Sequence, residues 1–448
     1  MDHETPQKVL TVGPIVRAGG QVKLPGSKSI SNRALLLAAL SQGRTELTGV
    51  LEADDTRLMI EALRTLGVQV EAGRDRTVVS GCEGRFPQRR ADLFLGNAGT
   101  AMRPLAAVLA FKGGAYRLDG VARMRERPIG DLVDSLNALG AKIRYEGQPG
   151  FPPLRIEPTG AAIGERVAIR GDVSSQFLSA LLMAAPLIAP KQGLHIEVEG
   201  DLISQPYVQM TLALMARFGA QVDRQERHFH VTAAPYRSPG HFAVEGDASS
   251  ASYFLALGAL AGGPVRVLGV GSASIQGDVA FAALLRQMGA QVELGPDWIE
   301  ARSGPLTAVT ADCTAVPDAA MTAAIVALFA RGTTRLNGIG SWRVKETDRI
   351  AAVGTELRKL GAVVDSGADW ISIEGPARPR EAWIDTYDDH RIAMCFALAA
   401  CGGVPVHVRD PDCVAKTFPR YFVELERLRI VARPSPLGRG AGGEDELR

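Results

Sequence analysis

The chain lacks the marks of several protein classes. Its 448 residues hold only five cysteines (Cys82, Cys313, Cys395, Cys401 and Cys413), an odd number with no C-x-x-C pair. This excludes a disulfide framework and a zinc knuckle, and a reducing compartment is the expectation. Long apolar runs are missing too. The longest, Phe177 to Pro190, carries Ser179 and two prolines and is too short to span a bilayer. The opening Met1-Asp2-His3-Glu4-Thr5 has no apolar stretch, so no secretory signal is expected and the expected location is cytoplasmic. Nor does one sign of charge prevail: 50 Lys+Arg face 49 Asp+Glu, a net charge of +1. A nucleic-acid binder relying on bulk phosphate attraction is thereby excluded, and nothing points to a membrane surface. What remains is globular: 46% apolar and 22% charged residues, with length for two or three domains.

The chain also contains a repeat. A polar cluster opens an apolar helix, a glycine closes it, and a β-branched run follows; this happens six times. The openings are Ser29-Ile30-Ser31, Asn97-Ala98-Gly99, Ser174-Ser175-Gln176, Asp247-Ala248-Ser249, Pro317-Asp318 and Asp388-Asp389-His390. The closing glycines are Gly43, Gly113, Gly193, Gly263, Gly332 and Gly403, about seventy residues apart. Each unit but the last has a second helix ending in glycine (Gly67, Gly140, Gly219, Gly289, Gly361), the residue that tolerates a left-handed C-terminal turn. Helices alternating with strands make this an α/β protein. Six units suggest two domains of three, cut near Ser238-Pro239-Gly240-His241. The expected boundaries are 27–243 for the first domain and 1–26 plus 244–432 for the second. Leu10 to Leu24 should lend a strand to the second domain, which makes the connection a two-strand hinge. Residues 433–448, rich in Gly and Pro, read as a disordered tail.

Residues suited to chemistry gather where the helices begin. Lys28, Ser29 and Arg33 stand at one start; Ser174, Ser175 and Gln176 at another; Arg127, Ser204, Lys345-Glu346 and Lys416 precede second helices. A helix N-terminus exposes unpaired N–H groups and a partial positive charge, so added cations there make an anion site. Ser, Thr or Asp before an apolar run is commonly just an N-cap. Lysine and arginine oppose the helix dipole at such a place, so Lys28, Arg127, Lys345, Arg391 and Lys416 point to function. Gly26-Ser27-Lys28-Ser29 only superficially matches a nucleotide P-loop, since Gly and Lys are not adjacent. His228-Phe229-His230 alternates like a strand, and Ala319 to Phe329 reads as core.

Several of these stretches are long enough to be recognisable. Leu24-Pro25-Gly26-Ser27-Lys28-Ser29-Ile30-Ser31-Asn32-Arg33 closely resembles the 5-enolpyruvylshikimate-3-phosphate synthases. So do Leu95-Gly96-Asn97-Ala98-Gly99-Thr100-Ala101-Met102-Arg103-Pro104, Arg343-Val344-Lys345-Glu346-Thr347-Asp348-Arg349, Asp389-His390-Arg391 and Ala415-Lys416-Thr417-Phe418-Pro419. The resemblance runs from Val22 to Leu428. It implies two inverse α/β domains, each of three βαβαββ repeat units (the enolpyruvyl transferase fold), with the active site in the cleft. The implied reaction moves the enolpyruvyl group of phosphoenolpyruvate to the 5-hydroxyl of shikimate 3-phosphate and releases phosphate, a step towards chorismate and the aromatic amino acids.

By the same resemblance, shikimate 3-phosphate would be held by Lys28, Ser29, Arg33, Ser174, Ser175, Gln176, Ser204, Asp318, Ser341 and Lys345. Phosphoenolpyruvate would be held by Lys28, Gly99, Arg127, Gln176, Arg349, Arg391 and Lys416. Asp318 would accept the hydroxyl proton and Glu346 would donate one to the methylene carbon, with Lys28 assisting. No metal or organic cofactor is implied, and the implied assembly is a monomer. Serine stands at 341 where the family pattern has asparagine, a shorter reach towards the phosphate. The intact pattern around Gly99 and Pro104 implies that glyphosate competes with phosphoenolpyruvate. Two other readings remain: a UDP-N-acetylglucosamine enolpyruvyl transferase, which needs a loop cysteine that none of the five supplies, and a non-catalytic sugar-phosphate binder. Asp318 and Glu346 among so many cations speak against the second.

Overall fold

The computed structural model describes residues 8–73, 75–375 and 378–430. The expected tail from residue 433 lies outside them.

The repeat becomes a repeated structure. In the second unit a strand (Arg90–Phe94) leads to a helix (Gly99–Leu109) and a parallel strand (Ala115–Asp119). A second helix (Gly130–Ala138) and an antiparallel hairpin (Lys142–Tyr145, Leu154–Glu157) complete the βαβαββ unit. The hydrophobic pattern explains the layering. Each first helix is apolar all round and therefore buried: in Lys28–Leu40 every residue from Ile30 onward is buried. Each second helix is amphipathic and lies outside, as Asp54–Thr65 does with charged residues on its exposed face. The five glycines after the second helices all adopt positive φ, from +83° at Gly219 to +105° at Gly289. There the left-handed turn requires glycine.

Buried apolar residues form two separate cores. One gathers residues between Ile30 and Tyr236. The other joins Val12–Leu24 to residues between Ala248 and Leu428. The connections between the halves run side by side. Gly26 bridges Gly246 in antiparallel fashion, the Ser27 amide donates to Glu245 O at 2.8 Å, and the Asp247 amide donates to Pro25 O at 2.9 Å. A Cβ on Gly26 would collide with the carbonyl oxygen of Gly49, so the close approach of backbone at this hinge demands glycine.

Chain crossing closes each half. Strand His241–Ala243 returns to pair in parallel with Arg44–Thr48 of the first unit. The segment Leu10 to Leu24 supplies two strands where the sequence suggested one. Ala18–Lys23 runs parallel to Gly262–Leu268, and Val9–Val12 runs antiparallel to Val406–Arg409. The second of these fills a gap. Among the described residues the sixth unit has no hairpin of its own after its outer helix (Tyr421–Leu428), and its sheet is three-stranded. Among the described residues no helix is long and apolar enough to cross a membrane.

Candidate active site

The cleft between the halves is a narrow cavity of about 60 Å³, walled by the starts of the buried helices on one side and by Asp318 and Ser341–Glu346 on the other. Of the residues anticipated from sequence, Lys28, Ser29, Arg33, Arg127, Ser174, Ser175, Gln176, Ser204, Asp318, Ser341, Lys345 and Glu346 line it. Gly99, Arg349, Arg391 and Lys416 stand next to this wall and reach it through the contacts described below.

The first half supplies cations and one buried carboxylate, Asp55, shared by Lys28 and Lys416. Arg33, one turn into its helix, donates from Nε to Thr211 Oγ1 at 2.8 Å and from Nη1 to Ser29 O at 3.0 Å. Burial brings its guanidinium down to about 10. Arg103 donates to Pro128 O at 2.9 Å, and Arg127 donates to Asn97 O and Oδ1 at 3.0 and 2.9 Å. The Nε atoms of both are buried with no partner among the described residues. Burial and the neighbouring Arg127 push Arg103 well below its ordinary value. Buried positive charge with unused donors calls for an anionic ligand. The absent side chain at Gly99 leaves that ligand room. A Cβ there would strike Arg103 Nη1 and lie 3.0 Å from Arg127 Nη2 and 3.2 Å from Gln176 Oε1.

The serines divide between two roles. Ser27 and Ser174 are N-caps, accepting from the amides of Ile30 (3.5 Å) and Gln176 (3.2 Å). Ser204 is different: it precedes its helix in left-handed conformation, φ +52°, buried and making no cap bond. A non-glycine residue there costs on the order of 1 kcal/mol, so its free hydroxyl facing the cleft points to a ligand.

The second half supplies carboxylates set among cations. Asp318 accepts from Arg349 at 2.9 Å and Arg391 at 3.0 Å, with Lys345 at 3.5 Å. Burial alone would raise this carboxyl, yet Arg391, Lys345 and Arg349 hold it well below the usual carboxylate range. Glu346 accepts from Arg349 at 2.9 Å. Burial would raise it as well, but Arg349, Arg127, Lys28 and Lys416 together hold it well below. Those four cations come from both halves and from residues far apart in sequence. Arg349 also binds Asp389 at 2.8 Å, and Lys416 reaches across to Asp55 at 2.8 Å and Asn97 O at 3.0 Å. Lys28 shares Asp55 at 3.4 Å. Arg123 donates to the backbone oxygens of Glu346 (3.0 Å) and Lys345 (2.9 Å), which holds the halves together over the cleft.

Three cations sit differently from the sequence reading. Arg127, Lys345 and Lys416 end short 3₁₀ turns, and the helices that follow begin only at Gly130, Arg349 and Tyr421. At the end of a turn a cation meets carbonyl groups favourably, so the dipole argument survives only for Lys28 and Arg391, the first and second residues of their helices. Sequence reasoning missed Asp55, Arg103, Tyr207 and Asp389. Arg103 lay within a quoted motif as a basic residue in an otherwise apolar helix, which was a usable signal. Asp55, in the first turn of an outer helix, looked like any favourable helix-start acid. His228-Phe229-His230 lies in a strand with His228 exposed, and Ala320–Phe329 is helical and mostly buried, as read. Among the described residues no cluster of His, Cys, Asp or Glu could hold a metal ion.

Comparison with known proteins gives a consistent result. A family profile described as EPSP synthase (3-phosphoshikimate 1-carboxyvinyltransferase) matches residues 12–425. A 3-phosphoshikimate 1-carboxyvinyltransferase of Cupriavidus necator is 59% identical over 424 residues, covering 92% of this chain and 98% of its own. One of Burkholderia vietnamiensis is 59% identical over 422 residues, covering 92% and 97%. Among solved structures, EPSP synthase from Acinetobacter baumannii superposes with TM-score 0.77 at 26% identity, covering 94% of this chain and 98% of that one. The enolpyruvyl transferase NikO from Streptomyces tendae, at 18% identity and TM-score 0.74 over 94% and 98%, shares the fold.

Proposed function

The chain belongs to the EPSP synthase family, and from that premise we propose how its cleft carries out the family's reaction. That reaction transfers the enolpyruvyl group of phosphoenolpyruvate to shikimate 3-phosphate in aromatic biosynthesis. Two α/β domains, 27–243 and 1–26 plus 244–432, close on the two substrates. Ser29, Arg33, Ser174, Ser175, Ser204, Ser341 and Lys345 hold shikimate 3-phosphate, and Gln176 lies between the ligands. Lys28, Gly99, Arg127, Arg349, Arg391 and Lys416 hold phosphoenolpyruvate, the arginines by bidentate bonds to its carboxylate and phosphate. The observation that carries this reading is the gathering of Lys28, Arg127, Arg349 and Lys416 about one buried carboxylate, Glu346.

The chemistry is addition followed by elimination. Asp318, kept ionised by its three cations, takes the proton of the 5-hydroxyl as its oxygen attacks the enol carbon. Glu346 gives a proton to the methylene carbon. In the structure Glu346 serves as counter-ion to four cations. When phosphoenolpyruvate takes over those cations its negative charge raises the Glu346 carboxyl, and the group can then carry a proton. Elimination reverses the carbon protonation and expels phosphate. The cations stabilise the charge that develops. We further propose that the enzyme works as a cytoplasmic monomer and that glyphosate competes with phosphoenolpyruvate. The test is phosphate release from phosphoenolpyruvate with each acceptor. Release is expected with shikimate 3-phosphate and not with UDP-N-acetylglucosamine; the reverse pattern would overturn the assignment.

A further inference from the structure

One buried acid of the cleft is left unused by this chemistry. Asp278, in the 3₁₀ turn Gly277–Ala280, is 6% exposed. Its Oδ2 accepts from the Tyr207 hydroxyl at 3.1 Å and from Ser249 Oγ, while Oδ1 is buried with no partner among the described residues. The same Tyr207 hydroxyl lies 3.3 Å from Asp318 Oδ2. Tyr207 belongs to the first half, on helix Gln205–Arg217, and both aspartates belong to the second. A phenol carries one proton and can donate it to one carboxylate at a time. Two acids on a single hydroxyl therefore form a path along which a proton can pass.

We propose that Asp278 is the proton store of the reaction, wired to Asp318 through the Tyr207 hydroxyl. This rests on the reading of Asp318 as the proton acceptor. The 5-hydroxyl O–H bond breaks and its proton moves to Asp318 Oδ2, while its electron pair forms the new C–O bond. Asp318 then passes the proton to Tyr207 Oη as the proton already on Tyr207 moves to Asp278 Oδ2. Asp318 and Tyr207 return to their starting states and Asp278 becomes neutral. Reverse passage empties the store, the proton ending on the departing phosphate.

The surroundings make the transfer run downhill. Burial and the charge of Asp318 raise the Asp278 carboxyl to about 6, against the opposing Ser249 and Arg391. Three cations hold Asp318 well below the usual range. The charged or titratable groups facing Asp278 are Asp318, Tyr207, Arg391 on helix His390–Ala397, and Asp247 ahead of helix Ala248–Leu260. Asp278 is thus a positioning residue for protons and does not touch substrate.

The test is the pH profile of kcat between pH 5 and 9 for the intact enzyme and for Asp278→Asn, Tyr207→Phe, the double variant, Asp278→Glu and Asp318→Asn. The unaltered enzyme should lose turnover as pH falls through about 6, where the store is already filled. Asp278→Asn should lower kcat by about tenfold, leave both KM values within about threefold, and lack that acid limb. Tyr207→Phe should flatten the profile in the same way, and the double variant should be no slower than the slower single one. Asp278→Glu should restore the limb. An unchanged limb in Asp278→Asn, or additive losses in the double variant, overturns the relay. If Asp278→Asn does not fold, the Tyr207→Phe profile decides. Full turnover in Asp318→Asn would instead overturn the role assigned to Asp318.

Discussion

Gly99→Ala probes the steric logic of the cleft most directly. Gly99 opens a buried helix, its φ is not positive, and alanine is the better helix former, so the backbone itself does not object. The obstacle lies in front. The new methyl would overlap Arg103 Nη1 and press on Arg127 Nη2 at 3.0 Å and Gln176 Oε1 at 3.2 Å. Flexible side-chain ends usually yield cheaply, but these are tethered. Arg103 is 3% exposed and donates to Pro128 O, and Arg127 is held by two bonds that it donates to Asn97. Shifting Arg127 enough to relieve the contact sacrifices one charge-assisted hydrogen bond or its equivalent to the ligand, about 1.5–3 kcal/mol. At 1.4 kcal/mol per decade, KM for phosphoenolpyruvate should rise roughly ten- to hundredfold. KM for shikimate 3-phosphate and the melting temperature should barely change, and inhibition by glyphosate should weaken in parallel. The assay is initial-rate phosphate release with phosphoenolpyruvate varied at saturating acceptor. A KM for phosphoenolpyruvate within about twofold of the parent, with inhibition intact, would show that the guanidinium groups yield freely and that the steric argument is wrong.

Other substitutions separate chemistry from binding. Asp318→Asn and Glu346→Gln should cut kcat by about a hundredfold or more while KM values move little; equal losses in both would make them binding groups. Ser204→Ala should raise KM for shikimate 3-phosphate about tenfold, a hydrogen bond to a charged group, with no loss of melting temperature. Ser204→Gly should melt no lower than the alanine variant, because the φ of +52° suits glycine; a clear drop would mean the left-handed backbone is not strained. His390 is fully buried, and burial together with Lys28 and Arg391 lowers its pKa well below 6.5. Below that value the unfolded chain binds a proton that the folded one refuses, so stability falls as pH falls. The loss from this residue sets in as the pH drops through 6.5 and grows below it. Denaturant unfolding of the parent and His390→Phe should show it, and identical pH slopes would refute it.

The repeat made the fold legible before any coordinates. Helix and strand periods are local properties, written in the direction successive side chains point, and the apolar Leu35–Leu40 run reads as buried helix from the polar opening and closing glycine that frame such a run in every repeat. Gly67, Gly140, Gly219, Gly289 and Gly361 marked helix ends because the turn that follows excludes a Cβ. The same locality located the candidate site, since helix starts bearing Lys28 or Ser174 are visible as such. The tertiary structure decided what no local pattern carries. It set Lys416 on Asp55, 361 residues away, and surrounded Glu346 with cations from both halves. It put Tyr207 between Asp318 and Asp278, and it set Val9–Val12 beside Val406–Arg409 in the sheet of the sixth unit. Such pairings depend on how the two halves, each with its own core, meet, and charge acts through space without regard to chain distance.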